Sequence, residues 1–263
     1  MFSITNAKIA GFTPRWARFR GFSVLFDSPG DCLVPHGQRL DLACDLDGDA
    51  ELGFYKGLRD GLTALEPDLL TATYLFCPLP PPSYHVTAWD GGNDGNVTRA
   101  VGSWRAKLEE YLAALPDTAT RPHDLTDTVL ASPLVSRRDW GVEFQFDALA
   151  IWGGSVLVAR LAPTDAARSV YEQFVAERGR LSATYRGKFG VGASERYTPH
   201  VSLGYFANRE GGQMAMPCLH EWNQVFTEGM RGLTLSFEHA SVYGFTDMAT
   251  FFTSAAPASD VAS

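Results

Sequence analysis

Tyr197-Thr198-Pro199-His200-Val201-Ser202-Leu203-Gly204-Tyr205-Phe206 reads as a strand that opens on a histidine and carries a hydroxyl two positions later. Side chains at i and i+2 of a strand share a face, so the His200 imidazole and the Ser202 hydroxyl lie side by side while Val201 turns away. A second stretch, Ser83-Tyr84-His85-Val86-Thr87-Ala88-Trp89, repeats the arrangement with His85 and Thr87. Two such strands set against each other make a pocket of two imidazoles and two hydroxyl donors.

Both motifs sit in the same succession of elements. Hydrophobic spacing predicts, in the first half, a strand at Gly21–Phe26 and a helix over 50–65 marked by Leu52, Tyr55, Leu58 and Leu62. A strand at 74–77, a Pro-rich bend, the His85 strand, a helix over 97–115 and a strand at 142–146 follow. The second half reads as a strand at 156–161, a helix capped by Thr164 or Asp165, the His200 strand, a helix bearing Leu219, Trp222 and Phe226, and a final strand over 233–243. This duplication predicts an α+β, bilobal domain over residues 1–253: two pseudo-symmetric antiparallel sheets with flanking helices around a central cleft. Lobe one is expected at about 20–150 and lobe two at about 155–250, joined at Trp152-Gly153-Gly154, with a flexible tail over 254–263.

Composition narrows the class of partner. The 263 residues are 45% hydrophobic and 20% charged, as in an ordinary soluble domain, and no apolar run is long enough to span a membrane. The formal net charge of −8 argues against a grip on long duplex nucleic acid, which needs a basic surface, and favours a small nucleotide or short RNA held in a local pocket. A monomer is expected. The first 26 residues contain no acid and carry Lys8, Arg15, Arg18 and Arg20. Such a start can be a transit peptide, but here it reads as an arm leading into a strand. Cys32, Cys44, Cys77 and Cys218 contain no C-x-x-C pair and read as reduced, mostly buried thiols of a cytoplasmic protein.

Other motifs carry less. Cys44-Asp45-Leu46-Asp47-Gly48-Asp49 resembles the nucleophile loop of magnesium-dependent haloacid-dehalogenase-type phosphatases, but Asp49 stands where that loop has threonine. It reads as a turn before a helix, with Asp49 as cap. The Gly-rich run Asp90-Gly91-Gly92-Asn93-Asp94-Gly95-Asn96 reads as a loop beside the first motif, without the spacing of a phosphate-cradling loop. His36, His123, His220 and His239 lie in no comparable context and read as structural. No spacing of His, Cys or carboxylates suggests a metal site, and no cofactor is expected.

The chemistry that fits is cleavage of a phosphodiester. One imidazole takes a proton from water, the other protonates the leaving oxygen, and Thr87 and Ser202 hydroxyls donate to the non-bridging oxygens. Paired His-x-Thr/Ser motifs, one in each half of a duplicated chain, and the Pro199-His200-Val201-Ser202-Leu203 form of the second resemble the 2H phosphoesterase superfamily, which includes RNA 2′,3′-cyclic phosphodiesterases once described as 2′-5′ RNA ligases. The resemblance implies a bilobal fold with His85 and His200 as catalytic pair and Thr87 and Ser202 on phosphate. It implies a hydrolase acting on a 2′,3′-cyclic phosphate, a 2′-5′ linkage or a small cyclic nucleotide. The alternative is a nucleotide- or RNA-end-binding module on the same fold that turns nothing over. The motifs are farther apart than in compact members of that family, with insertions expected around 27–49 and 116–139. Tyr84, Trp89, Tyr197, Tyr205 and Tyr243 are candidates for stacking on a base, and Arg196 for contact with phosphate.

Overall fold

In the computed structural model, which describes residues 3–12, 15–117 and 123–254, strand β1 (Gly21–Phe26) is buried at every position. Six consecutive buried residues fit a central strand covered on both faces. β1 lies between β5 (Thr87–Asn93) and β10 (Ala240–Phe245), antiparallel to both. β2 (Leu33–His36), β3 (Arg39–Leu42) and β11 (Phe251–Ser254) complete a six-stranded sheet in the order β2-β3-β11-β10-β1-β5. The second sheet has five strands, β4 (Phe76–Pro78), β8 (His200–Phe206), β7 (Val156–Pro163), β6 (Val142–Trp152) and β9 (Thr234–Phe237), in that spatial order. The fold is α+β with two antiparallel sheets, and each sheet carries one His motif.

The sheets are not built from contiguous halves. β10 and β11 cross from the C-terminal part into the first sheet, and β4 and β6 cross into the second. Three local readings change with this exchange. Trp152-Gly153-Gly154 is no inter-lobe linker: Gly153 and Gly154, at φ 59° and 66°, form the tight turn of the β6–β7 hairpin. The strand expected over 233–243 divides at Glu238 and His239, giving β9 to one sheet and β10 to the other. The stretch read as an insertion over 27–49 contains the β2–β3 hairpin, which widens the first sheet.

That hairpin also overturns the reading of four free thiols. Pairing of Leu33 with Leu42 brings the flanking residues together, the Ala43 N–H donates to the Cys32 carbonyl at 2.9 Å, and Cys32 and Cys44 are joined by a disulfide. Cys77 is free and buried, and Cys218 is free and half-buried.

Helices α1 (Gly53–Ala64), α2 (Pro67–Tyr74), α7 (Arg209–Ala215) and α8 (Leu219–Gly229) form one group: α1 and α2 contact α8 and α7, and α8 packs on β6. α3 (Trp104–Ala113), α4 (Asp124–Leu130), α5 (Pro133–Ser136) and α6 (Arg168–Phe189) accompany the first sheet. Within the expected insertion at 116–139, residues 118–122 lie outside the described residues, as does the tail from 255 onward. Neither Thr164 nor Asp165 caps α6, which starts at Arg168. The Thr164 hydroxyl instead donates to the Glu143 carboxylate at 3.0 Å. One hydrophobic cluster runs through both sheets. At its centre the Phe26 ring of β1 stacks on Phe174 of α6 and Phe237 of β9, 4.6 and 4.8 Å between centroids. Among the described residues no helix is long and apolar enough to cross a membrane.

Candidate active site

Burial follows the alternation expected of the two motifs. Val86 and Val201 are fully buried, while His85, Thr87, His200 and Ser202 on the opposite face are half-exposed. His85 immediately precedes β5, on backbone still held in the sheet by the Phe26 N–H bond to the Val86 carbonyl, 3.0 Å. His200 opens β8 opposite Arg160 of β7. Among the described residues neither the Thr87 nor the Ser202 hydroxyl has a hydrogen-bond partner.

The two imidazoles are fixed in the same way. His85 Nδ1 lies 2.8 Å from the Ser83 carbonyl, and His200 Nδ1 lies 3.0 Å from the Thr198 carbonyl, each two residues back. A carbonyl only accepts, so each Nδ1 carries the hydrogen and each Nε2 is left for chemistry. An aromatic ring covers each histidine: Phe251 of β11 at 4.2 Å from His85, and Trp152 of β6 at 4.5 Å from His200.

These surroundings set the electrostatics. Burial pushes His85 down to about 4, against the Ser83 hydrogen bond, and the charge of His200 adds to the depression. A charge on His200 thus disfavours a charge on His85. Burial also lowers His200, which the Thr198 carbonyl and the Asp90 carboxylate oppose and the Lys8 ammonium reinforces. Burial favours the neutral form of both rings, and at His200 the Asp90 carboxylate works the other way. One neutral Nε2 and one protonated Nε2 can take up and give off a proton across a shared substrate.

Tyr197 and Arg178 hold the two motifs in register. The Tyr197 hydroxyl donates to the Thr87 carbonyl at 3.0 Å. Arg178 of α6 is buried; its Nε donates to the Ala88 carbonyl at 3.0 Å and its Nη1 to the Ser194 carbonyl at 2.7 Å. Its guanidinium lies 4.6 Å from the Tyr197 ring centroid.

No family model and no curated protein matches the chain. Among solved structures it is similar to a conserved protein of unknown function, ATU0111, from Agrobacterium tumefaciens. The two are 12% identical with a TM-score of 0.54, over 95% of this chain and 90% of that one. At that identity the likeness is one of fold.

The aromatic candidates separate into core and site. Tyr84, Trp89 and Tyr243 are almost fully buried and offer no face to a base. For Trp89 the cause is a bulge in β5: Leu25 pairs with Thr87 but Val24 with Trp89, so the alternation slips and the indole turns inward to Ser182 Oγ, 3.1 Å away. Tyr243 donates to Asp27 at 2.7 Å. Tyr205 is buried but shares the face of His200, and Tyr197 acts through its hydroxyl. Arg196 is exposed on the loop before β8. The motifs do not reveal Trp152 and Phe251, which cover the histidines, Asp90 and Lys8, whose charges act on His200, or Arg178, which braces the strands. Only Trp152 had a local cue, as an aromatic at a hairpin turn.

The Asp45–Asp49 stretch forms the expected turn and cap: Asp45 accepts from the Gly48 N–H, Asp49 accepts from Glu51 N, and Asp47 pairs with Arg59. Among the described residues no group of three His, Cys, Asp or Glu gathers as for a metal. An apolar cavity of about 280 Å³ lies between Trp16, Arg59, Leu62 and the Pro-rich bend, and neither histidine lines it.

Proposed function

We propose that this chain is a metal-independent phosphodiesterase of the 2H type, acting on a 2′,3′-cyclic phosphate, a 2′-5′ linkage or a small cyclic nucleotide. His85 is the general base and His200 the general acid. His85 Nε2 takes a proton from water as the water oxygen bonds to phosphorus. The phosphorus–oxygen bond to the leaving group breaks, and that oxygen receives the Nε2 proton of His200. Thr87 and Ser202 donate to the non-bridging oxygens, a contribution of about 3 kcal/mol each by analogy with oxyanion donors.

The observation that carries this reading is the matched pair of Nδ1–carbonyl bonds, 2.8 and 3.0 Å, on two imidazoles whose motifs are joined by the Tyr197–Thr87 bond. The reading requires no metal because the two imidazoles supply both proton transfers. A net charge of −8 suits a short ligand better than a long nucleic acid. The cytoplasmic setting expected from four free thiols loses its premise at Cys32 and Cys44.

The test is turnover of 2′,3′-cyclic nucleotides, 2′-5′ dinucleotides and cyclic dinucleotides in excess EDTA, with the His85→Ala/His200→Ala variant as blank. Product from the wild type alone is expected. Product from the blank, or none from the wild type across the panel, overturns the reading and turns attention to a binding module.

A further inference from the structure

Lys8 belongs to the N-terminal arm, outside both His motifs, and the arm is fastened to the end of β8. The N–H groups of Thr5 and Asn6 donate to the Ala207 carbonyl at 2.8 and 2.9 Å. Asn6 Nδ2 donates to the Phe206 carbonyl at 2.9 Å, and Asn6 Oδ1 accepts from the Lys8 N–H at 3.1 Å. An Ile9–Trp16 bridge closes the arm on itself. Held so, Lys8 Nζ lies 4.8 Å from the Tyr205 ring centroid, 5.2 Å from that of Phe19 and 3.4 Å from the Tyr205 hydroxyl oxygen, whose own hydrogen goes to Met248 Sδ at 3.4 Å. Among the described residues no carboxylate pairs with it.

The register of β8 decides which way this cation faces. Ser202 pairs with Val158, Gly204 with Leu157 and Tyr205 with Val156, which leaves Leu203 as the extra residue of a bulge. Val156, Val158 and Arg160 alternate onto one face of β7, and cross-strand partners share a face. His200, Ser202 and Tyr205 therefore form a single row, and Lys8 stands over its third member. A half-buried ammonium that lies on two aromatic faces and pairs with no acid is open to an outside anion. Ser202 and Tyr205 face β7 residues two apart, about 7 Å of strand, so a second phosphate can lie beside the first along the row.

We infer that Lys8 forms a second anion subsite at the end of the His200–Ser202 row, which takes a phosphate that the substrate carries in addition to the one cleaved. The inference rests on the two-histidine reading and narrows its substrate class to a nucleotide with an extra phosphomonoester. The charge of Lys8 is felt at His200, where it opposes protonation.

The test is equilibrium binding of adenosine 2′-phosphate and adenosine 2′,5′-bisphosphate to the full chain, to Lys8→Gln and to Lys8→Arg, with thermal melts to confirm folding. The wild type is expected to bind the bisphosphate about 10-fold more tightly, one charge-assisted contact. Lys8→Gln should lose that increment alone, and Lys8→Arg should retain it. If the wild type binds both nucleotides equally, or Lys8→Gln weakens both equally, the subsite is refuted while the two-histidine pocket stands. If neither nucleotide binds the wild type, the two-histidine reading and the subsite fall together. A His85→Ala/His200→Ala variant that binds the monophosphate as the wild type does removes the phosphate from the histidines and has the same consequence.

Discussion

The hydroxyl of Tyr197 donates to the main-chain carbonyl of Thr87 at 3.0 Å, a bond between residues 110 apart in sequence. It ties the loop that enters the second His motif to the strand that leaves the first. Arg178 lies against the Tyr197 ring and binds the carbonyl of Ala88, the residue after Thr87. Two sheets assembled from interleaved parts of the chain thus meet at a brace made of one phenol and one guanidinium.

Tyr197→Phe removes the hydroxyl and keeps the ring under Arg178. We expect a loss of about 1 kcal/mol of unfolding free energy, one net hydrogen bond. Because the Thr87 carbonyl belongs to a residue proposed to bind phosphate, turnover should fall as well. Urea titration and steady-state rates check both. An unchanged turnover would show that the bond is not what spaces the motifs.

Arg178→Lys keeps the charge but cannot hold two carbonyls in a planar fork. The cost expected is about 1–3 kcal/mol, with kcat falling more than KM rises, because the change loosens the spacing of Ala88 and Ser194 without touching substrate. A stability loss with kcat per folded molecule intact would make Arg178 a structural residue only.

Reduction of Cys32–Cys44 tests the first sheet. The bond closes a loop over a separation of 12 residues, for which chain entropy gives about 3 kcal/mol. The Cys44 N–H donates to the Pro82 carbonyl at 2.8 Å, in the turn that leads to His85. Reductant, or Cys32→Ser/Cys44→Ser, should lower the melting temperature and weaken turnover. If the melting temperature does not move, the hairpin is held by β3–β11 pairing alone.

The α+β class and the shared face of each His–hydroxyl pair were legible because a period-two pattern is local. Which sheet a strand joins is not. Nothing within Ala240–Phe245 indicates that Val242 pairs with Val24, more than two hundred residues earlier. Nor do Val34, Pro35 and His36, all exposed, read as a strand; an edge position tolerates that proline. Bulges hid the fate of the aromatics, turning Trp89 into the core and keeping Tyr205 on the face of His200. Lys8 and Arg178 reach the site through tertiary structure and belong to no motif, so a reading along the chain passes them by, while Asp90 lies in the Gly-rich run read as a loop and is part of β5.

The pH dependence of kcat/KM separates the roles of the two histidines. His85, held at about 4, is neutral and able to accept a proton at any higher pH, so the acidic limb should fall near that value. His200 must be protonated to act as acid, and burial holds it below the ordinary 6.5, so activity declines as pH rises through a value under 6.5. The profile should be a bell with its maximum on the acid side of neutrality. The Asp90 carboxylate favours protonated His200, so Asp90→Asn should move the basic limb to lower pH and leave the acidic limb in place. Lys8 acts with opposite sign, and Lys8→Gln should move the same limb upward. Limbs that stay fixed in both variants, or an acidic limb that moves instead, would reverse the assignment of base and acid or remove Asp90 and Lys8 from the electrostatics of the pair.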